Sequence, residues 1–368
     1  MNQDMACKME DMESPADPVW QEDLEETSGR ELPWEKLSGS TVLVTGATGL
    51  VGSALVKTLA CANRLRHLHM RILALVRREE KAERVFGELL RRGDVCAVCG
   101  DVTKPLSVEG PVDFVIHGAS VTASKTFVTQ PVETIRTAVS GTEHVLALAA
   151  EKQVRGMVYL SSMEAFGITD PELPFVREED LGYIDVMNVR SCYSESKRMC
   201  EVLCACWAHE YGVPVKVVRL AQTFGAGVSK EENRVFAQFA KSALAGTDIV
   251  LHTKGESTGN YCYTADAAAA ILTVLLSGNP GEVYTAANPK ASMKIRQMAQ
   301  LAADTLAQGR SRVVFDIPED ARTFGYAPDV TMHLNADKLM ALGWEPKYDL
   351  PEMYRRLAAS FEAQGEAQ

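Results

Sequence analysis

Short apolar, β-branched runs recur through the first 220 residues: Thr41–Val44, Arg71–Val76, Val95–Cys99, Val112–Ile116 and Gly156–Ser161. Each is a strand candidate by length and composition. Between them lie stretches with helical periodicity: from the residues after Gly52 to about Asn63, and over 79–92, 130–152 and 193–211. Strands alternating with helices at this spacing predict a parallel, doubly wound α/β sheet. Beyond residue 220 the pattern changes. A helix is expected over 233–245, a strand over 248–252, and an Ala-rich, buried helix from Asp266 onward. These segments predict a smaller C-terminal α/β lobe. The expected organisation is an acidic extension over 1–38, a nucleotide-binding domain over 39–220 and a substrate lobe over 221–368.

The junction after the first strand has its own chemistry. Thr41–Gly52 reads TVLVTGATGLVG, a strand, a tight turn and a helix start. Gly46 permits the turn, Gly49 lets backbone N–H groups approach a pyrophosphate, and Gly52 lets the helix lie against the strand. The backbone of Thr48, Leu50 and Val51 belongs to the same cradle, and the helix N-terminus favours an anion. The fold class is therefore Rossmann-like, with a dinucleotide as the expected cofactor. Ligands of such sheets bind at the carboxyl ends of the strands. There the chain places Arg77, followed by Arg78, where the adenosine ribose is read. An acid at that place accepts from the 2′-hydroxyl of NAD, whereas arginine suits the 2′-phosphate of NADP; a solvated basic pair is the plain alternative. Asp101, with Val102 beside it, is a candidate for the adenine or a turn cap. Gly118, Ala119 and Ser120 form a small-residue loop expected under the nicotinamide ribose. His117 is expected to be structural.

Charge and cysteine content narrow the class. Residues 1–38 carry eleven acids and three bases, so net −8 of the chain's −11 lies there and the remainder is nearly neutral. That balance excludes a general nucleic-acid binder. No apolar run approaches a membrane span, and the polar N-terminus does not read as a secretory signal. Residues 1–17 are expected to be disordered, 18–30 to form a short acidic helix, and 33–39 to be a connector whose Trp34 and Leu37 pack onto the body. Nine cysteines, an odd number in a large chain, predict free thiols in a reducing compartment, hence a cytoplasmic location. Cys96 and Cys99, and the group Cys200, Cys204 and Cys206, lack metal-ligand spacing and are expected to be buried and structural, with no metal bound.

The catalytic candidates follow the fifth strand. It ends in Ser161-Ser162-Met163-Glu164, and a helix then opens with Arg190-Ser191-Cys192-Tyr193-Ser194-Glu195-Ser196-Lys197. Tyr193 and Lys197 share a helix face. An ammonium near a phenol lowers its pKa, and a Ser hydroxyl facing both can hold a substrate oxygen. Hydride transfer at a C–OH needs such a base together with a nicotinamide.

Together these motifs resemble the extended short-chain dehydrogenase/reductases of the NAD-dependent epimerase/dehydratase family, over about 41–350. Arg219-x-x-Gln222-x-Phe224-Gly225, Tyr263-Thr264-x-Asp266 and Leu342-Gly343-Trp344-Glu345-Pro346 add to the likeness. Within the family, Arg190 to Arg198 is most similar to UDP-glucuronate decarboxylases. The resemblance implies Tyr193 as base, Lys197 on the nicotinamide ribose, Ser162 on the sugar O4 and Glu164 as acid. It further implies Gln222 and Arg234 as substrate contacts, a nucleotide-sugar substrate, UDP-linked, and a homodimer. The shared first step is oxidation at sugar C4, followed by decarboxylation or epimerisation with return of the hydride. Departures stand at Gly259, where the family has an Arg on the diphosphate, and at Met163 and Ala138. A net NADPH-dependent reductase is the first alternative. A non-catalytic dinucleotide-binding scaffold, motivated by Gly259, is the second.

Overall fold

The computed structural model describes residues 12–317 and 330–366. A helix, α1 (Pro18–Gly29), precedes the first strand, β1 (Thr41–Thr45). The chain then alternates α2 (Leu50–Arg66), β2 (Arg71–Val76), α3 (Glu79–Phe86), β3 (Val95–Cys99) and β4 (Phe114–His117). After a short helix, α4 (Ser124–Thr129), come α5 (Pro131–Glu151), β5 (Gly156–Ser162), α6 (Cys192–Tyr211) and β6 (Val215–Leu220). The predicted helix over 79–92 stops early, because Gly87 takes φ +47° and the chain continues as a 3₁₀ turn to Arg91.

With β10 (Val283–Ala286), these strands form a seven-stranded sheet in the order β10-β6-β5-β4-β1-β2-β3, with parallel neighbours. From β1 the chain runs outward through β2 to β3, then returns to β4 on the other side of β1. The carboxyl ends of β1 and β4 thus flank the switch point, where such sheets form their ligand crevice. Helices cover both faces, so the central strands are apolar throughout, and β1 is buried at all five positions. One core lies under α5 and α6 and contains Leu43, Val115, Met157 and Tyr159. The other lies under α2 and α8 (Thr264–Ser277) and contains Val44, Leu55, Ile116 and Ile271.

The distal segments build a separate core. It joins β7 (Gln222–Phe224), α7 (Val235–Ala245), β8 (Ile249–Leu251), β9 (Thr258–Tyr263), β11 (Ser292–Lys294), α9 (Ile295–Leu306) and β12 (Val313–Phe315). β9 lies between β11 and β7, and β12 pairs with β8. A short helix, α10 (Asp337–Met340), and the closing α11 (Leu350–Glu366) follow, and α11 supplies Met353, Tyr354 and Leu357 to this core.

The N-terminal segment departs from expectation. Of the residues read as disordered, 1–11 lie outside the described ones, but 12–17 are ordered, and Glu13 is only 3 % exposed. Its carboxylate bridges Arg64 at 2.9 Å and Arg92 at 2.5 Å. From there α1 crosses α2, α8 and α11. Asp23 accepts from Tyr263 Oη at 2.5 Å and pairs with Arg356 at 2.7 Å, and Arg30 pairs with the buried Asp266 at 2.6 Å. The buried acids Glu13 and Asp23 each have a basic partner elsewhere in the chain, so their charge is compensated locally and does not keep the segment in water. Trp34 and Leu37 pack into the core as expected.

The cysteines also divide. Cys200 and Cys204 are buried, but Cys99 and Cys206 are exposed and Cys96 is half-buried. β3 is the sheet edge, so alternate side chains face solvent there. Among the described residues no His, Cys, Asp or Glu group is placed to hold a metal, and no helix is long and apolar enough to cross a membrane.

Candidate active site

At the switch point the glycine turn is held by close packing. Gly46 has φ +69°, and a Cβ there would stand 2.7 Å from the Gly118 carbonyl carbon. A Cβ on Gly52 would strike the Gly46 carbonyl oxygen. The ends of β1 and β4 and the start of α2 therefore meet backbone to backbone. Gly49, the N-cap of α2, gives no side-chain acceptor to the first helical N–H groups. Those donors, next to Leu50, Val51 and Gly52, remain for an anion. Thr48 and Gly49 lie at the open side of this turn, and Gly118, Ala119 and Ser120 line the adjoining β4 end, each half-buried. This arrangement fits the pyrophosphate and ribose of a dinucleotide.

His117 is structural. Its Nδ1 meets Thr45 Oγ1 at 2.7 Å and its Nε2 meets Thr142 Oγ1 at 3.2 Å. Burial, with the Lys197 charge nearby, pushes its pKa down to about 3, so it is neutral at working pH. Asp101 caps a turn, accepting from the Thr103 N–H and hydroxyl at 2.9 Å. Those bonds hold its carboxyl below its ordinary value. Val102 is buried against Gly141, and Arg77 is exposed at the end of β2.

The fifth strand delivers two serines to different tasks. Ser161 points inward and donates to Glu201 Oε1 at 2.5 Å; Glu201 in turn pairs with Arg219. Ser162, one residue on, faces the other way by strand alternation and accepts from the Glu164 N–H at 3.2 Å. A 3₁₀ turn, Met163–Phe166, then presents Glu164. Tyr193 and Lys197 stand one turn apart at the start of α6 and are both buried.

Around Tyr193 the sequence reading missed several partners. Phe127 stacks on its ring, with centroids 4.4 Å apart at 11°. Arg190 lies over the Phe127 ring at 4.8 Å and grips Glu164 with both terminal nitrogens, at 2.9 and 3.1 Å. Ser194 donates to the same carboxylate at 3.1 Å. Arg190 and Ser194 flank Tyr193 in the motif and were legible as neighbours. Phe127 comes from α4, far away in sequence, and carried no local signal.

The expected pull of Lys197 on the phenol is not what the structure has. Burial, then the Glu164 charge, push Tyr193 up to about 12, while Ser162, Arg190 and Arg234 work in the opposite direction. Lys197 itself is drawn down to about 8 by burial. Its Nζ donates to the Leu160 carbonyl at 2.7 Å and stands 5.7 Å from the Tyr193 centroid. Arg234, at the mouth of α7, reaches Tyr193 electrostatically from the second lobe, although it also pairs with Glu232 at 2.7 Å. Gln222 is exposed on β7. Gly259 is buried in β9, and a Cβ there would collide with the Tyr261 ring of the same strand face. The space toward which the family's Arg side chain would start is thus already filled.

Comparison with known proteins agrees with this geometry. UDP-glucuronic acid decarboxylase 6 of Arabidopsis thaliana is 28% identical over 321 residues, covering 86% of this chain and 87% of that protein. UDP-glucuronic acid decarboxylase 1 of Danio rerio is 31% identical over 257 residues, covering 68% of this chain and 57% of that protein. Among solved structures, a UDP-glucose 4-epimerase of Thermotoga maritima superimposes with a TM-score of 0.72 at 20% identity, covering 89% of this chain and 99% of the other. A dTDP-glucose 4,6-dehydratase of Bacillus anthracis, solved with NAD, does so with a TM-score of 0.72 at 20% identity, covering 89% and 98%. The NAD dependent epimerase/dehydratase family model matches residues 42–288, from the middle of β1 to just past β10. With the glycine turn, the seven-stranded sheet and the Ser–Tyr–Lys group in one crevice, the chain belongs to the NAD dependent epimerase/dehydratase family and is an enzyme of that family.

Proposed function

We propose that this enzyme oxidises the 4-hydroxyl of a UDP-linked sugar and then decarboxylates or epimerises the resulting keto sugar. The observation that carries this reading is the placement of Tyr193 beside Ser162 and Glu164 at the carboxyl end of β5. Tyr193 takes the hydroxyl proton, Ser162 orients the same oxygen, and Lys197 holds the ribose next to the nicotinamide. NAD, when bound, supplies the hydride acceptor and donor. Glu164 is the acid–base group of the second half-reaction. Arg234 and Gln222 contact the nucleotide diphosphate. The 39–220 segment holds the cofactor, and the 221–368 segment holds the substrate.

The relatives, UDP-glucuronic acid decarboxylases, favour decarboxylation of UDP-glucuronate. A second reading, net reduction of a keto substrate, is favoured by Arg77 at the end of β2. Incubation with UDP-glucuronate and UDP-hexoses, read by released CO2 and by mass spectrometry of the sugar, separates them. Release of CO2 or a changed sugar without net consumption of reduced cofactor supports the first reading. Stoichiometric consumption supports the second. Tyr193→Phe is expected to lower turnover by about 10²–10⁴-fold while cofactor binding stays nearly unchanged. Turnover at the unaltered rate sinks the assignment of the base.

The enzyme is further proposed to act as a cytoplasmic homodimer. Val132 and Ile135 on α5, and Met199 and Val202 on α6, are exposed apolar side chains on two adjacent helices. Pairing of these helices with their copies covers them. Sedimentation equilibrium of the purified chain, with Val202→Glu as the disrupting variant, checks this.

A further inference from the structure

Glu164 and Arg190 are 26 residues apart in the chain, and between them runs a loop that leaves the end of β5 and returns to the start of α6. The neck of that loop is closed backbone to backbone. The Gly182 N–H donates to the Phe166 carbonyl at 2.7 Å, and Ile168 and Tyr183 exchange both backbone bonds, at 2.9 and 3.0 Å. Gly167 takes φ +70°, and a Cβ there would stand 2.7 Å from the Tyr183 carbonyl oxygen. A Cβ on Gly182 would strike the Ile168 carbonyl.

Arg198 pins this neck. It follows Lys197 on α6 and donates from Nε to the Ala165 carbonyl at 2.7 Å. Its Nη2 donates to the Phe166 and Gly182 carbonyls at 3.1 and 2.7 Å, and its Nη1 faces Glu195 at 3.6 Å. Ala165 and Phe166 close the 3₁₀ turn that presents Glu164, so their carbonyls lie past the reach of the turn's own N–H groups. A guanidinium there satisfies them and suits the negative end of the turn. At the opposite end the Ser162 hydroxyl accepts from the Glu164 N–H. Glu164 is thus held from both ends of its turn, and the bond to Gly182 fixes the limb that goes on to Arg190.

A different set of contacts holds the strand beneath. Ser161 donates to Glu201, Glu201 pairs with Arg219, and Lys197 donates to the Leu160 carbonyl. These tie β5 to α6 without Arg198. Loss of the Arg198 fork therefore frees the turn and the loop neck, while Ser162, Tyr193 and Lys197 keep their supports.

We propose that Arg198 is a positioning residue that acts through Glu164. Its nitrogens are taken up by backbone carbonyls, and it sets the acid–base group of the second half-reaction, leaving the first to Ser162, Tyr193 and Lys197. This rests on the function proposed above. The hydride taken from C4 in the first half returns to the product in the second, so no outside oxidant is needed.

Single-turnover experiments on the full-length enzyme with its cofactor separate the halves, on whichever of the UDP-sugars named above the unaltered enzyme converts. Near-ultraviolet absorbance follows the reduced nicotinamide, and quenched samples follow CO2 or the altered sugar. Arg198→Gln should leave cofactor reduction within about twofold and slow reoxidation and product formation by about ten- to a hundredfold, so that reduced cofactor accumulates. Arg198→Lys, which keeps a charged donor, should recover part of the loss. Glu164→Gln should give the same accumulation, and Arg198→Gln added to it should slow product formation by no more than about twofold further, because both act on one group. Hydrogen exchange, which needs no substrate, should quicken at the Gly182 and Tyr183 amides in Arg198→Gln and spare the central strands. Equal slowing of both halves, additive losses in the double variant or unaltered exchange at the neck overturns the proposal. An unaltered enzyme that converts none of these sugars overturns the functional reading, and the role of Arg198 in a half-reaction falls with it, whatever the exchange shows.

Discussion

Arg190 and Glu164 meet in a two-pronged ion pair, Nη1 to Oε2 at 2.9 Å and Nη2 to Oε1 at 3.1 Å, and both charges act on the Tyr193 phenol. Both are about one-third exposed, so the pair adds little to stability, under about 1 kcal/mol. Its consequence is electrostatic. The Glu164 charge raises the Tyr193 pKa and the Arg190 charge lowers it. Arg190→Met leaves the carboxylate uncompensated and is expected to cut kcat by about ten- to a hundredfold through misplacement of Glu164. The rising limb of the pH–rate profile should move to higher pH. Arg190→Lys should recover part of the rate, and Glu164→Gln added to Arg190→Met should bring the limb back. A profile unmoved by Arg190→Met shows that the pair does not tune Tyr193.

His117 gives a pH dependence of stability with a defined sign. Its folded pKa is about 3, below the ordinary 6.5 of the unfolded chain. The unfolded state therefore takes up a proton first as pH falls. The contribution is complete above pH 6.5 and is lost progressively between pH 6.5 and 3, at about 1.4 kcal/mol per unit. Urea titrations at pH 7.5 and 5.5 should show the loss. His117→Gln should flatten the slope while lowering stability at pH 7.5. An equal slope in that variant assigns the loss to other groups.

Glu13 ties the N-terminal segment to α2 and to the end of the 3₁₀ turn after α3. Its side chain has no exposed surface, and its Arg64 and Arg92 partners are 24% and 15% exposed. Hydrogen bonds from both arginines and Gln21 outweigh burial and hold its carboxyl below the ordinary value. Glu13→Ala removes the shared carboxylate while Arg64 keeps Glu25 and Arg92 keeps Asp94, and is expected to cost about 1–3 kcal/mol. Chemical denaturation measures it. A change under about 1 kcal/mol means that the segment is a surface attachment and not part of the folded unit.

Gly259 stands where the family resemblance implies an arginine, and Tyr261 occupies the space in front of it. Gly259→Ala should cost about 1–3 kcal/mol by overpacking a buried strand. Gly259→Arg should cost more and should not strengthen binding of a nucleotide diphosphate. Thermal unfolding of both variants, with UDP titration, checks this. A Gly259→Arg protein of unaltered stability would show that Tyr261 yields, and the departure from the family would then be one of side chain alone.

Much of the architecture was legible in local pattern. The five strands to residue 162, the glycine turn and the Tyr193–Lys197 helix depend on periodicities and spacings that act within a few residues, and each lies within a few residues of its predicted place. Neither the order of the strands nor the switch point between β1 and β4 is written locally, yet alternation and right-handed crossovers leave few choices. That Ser162 is the serine beside the phenol was implied by the family resemblance, not read from the local pattern.

Tertiary structure decided what depends on meeting partners from afar. Residues 12–17 read as disordered because acids without apolar neighbours cannot bury themselves; Arg64 and Arg92 supply the missing counter-charge across the fold. The ionisation of Tyr193 was predicted from Lys197, four residues away, but burial and the charges of Glu164, Arg190 and Arg234 govern it. Phe127 under the Tyr193 ring and Tyr261 against Gly259 are likewise contacts that only packing creates. The sequence by itself determined the fold class and the glycine turn after β1, because those rest on backbone geometry and short spacings. Electrostatic setting and the closing of space around each group were left to the tertiary structure, because charge and volume act through distance, not along the chain.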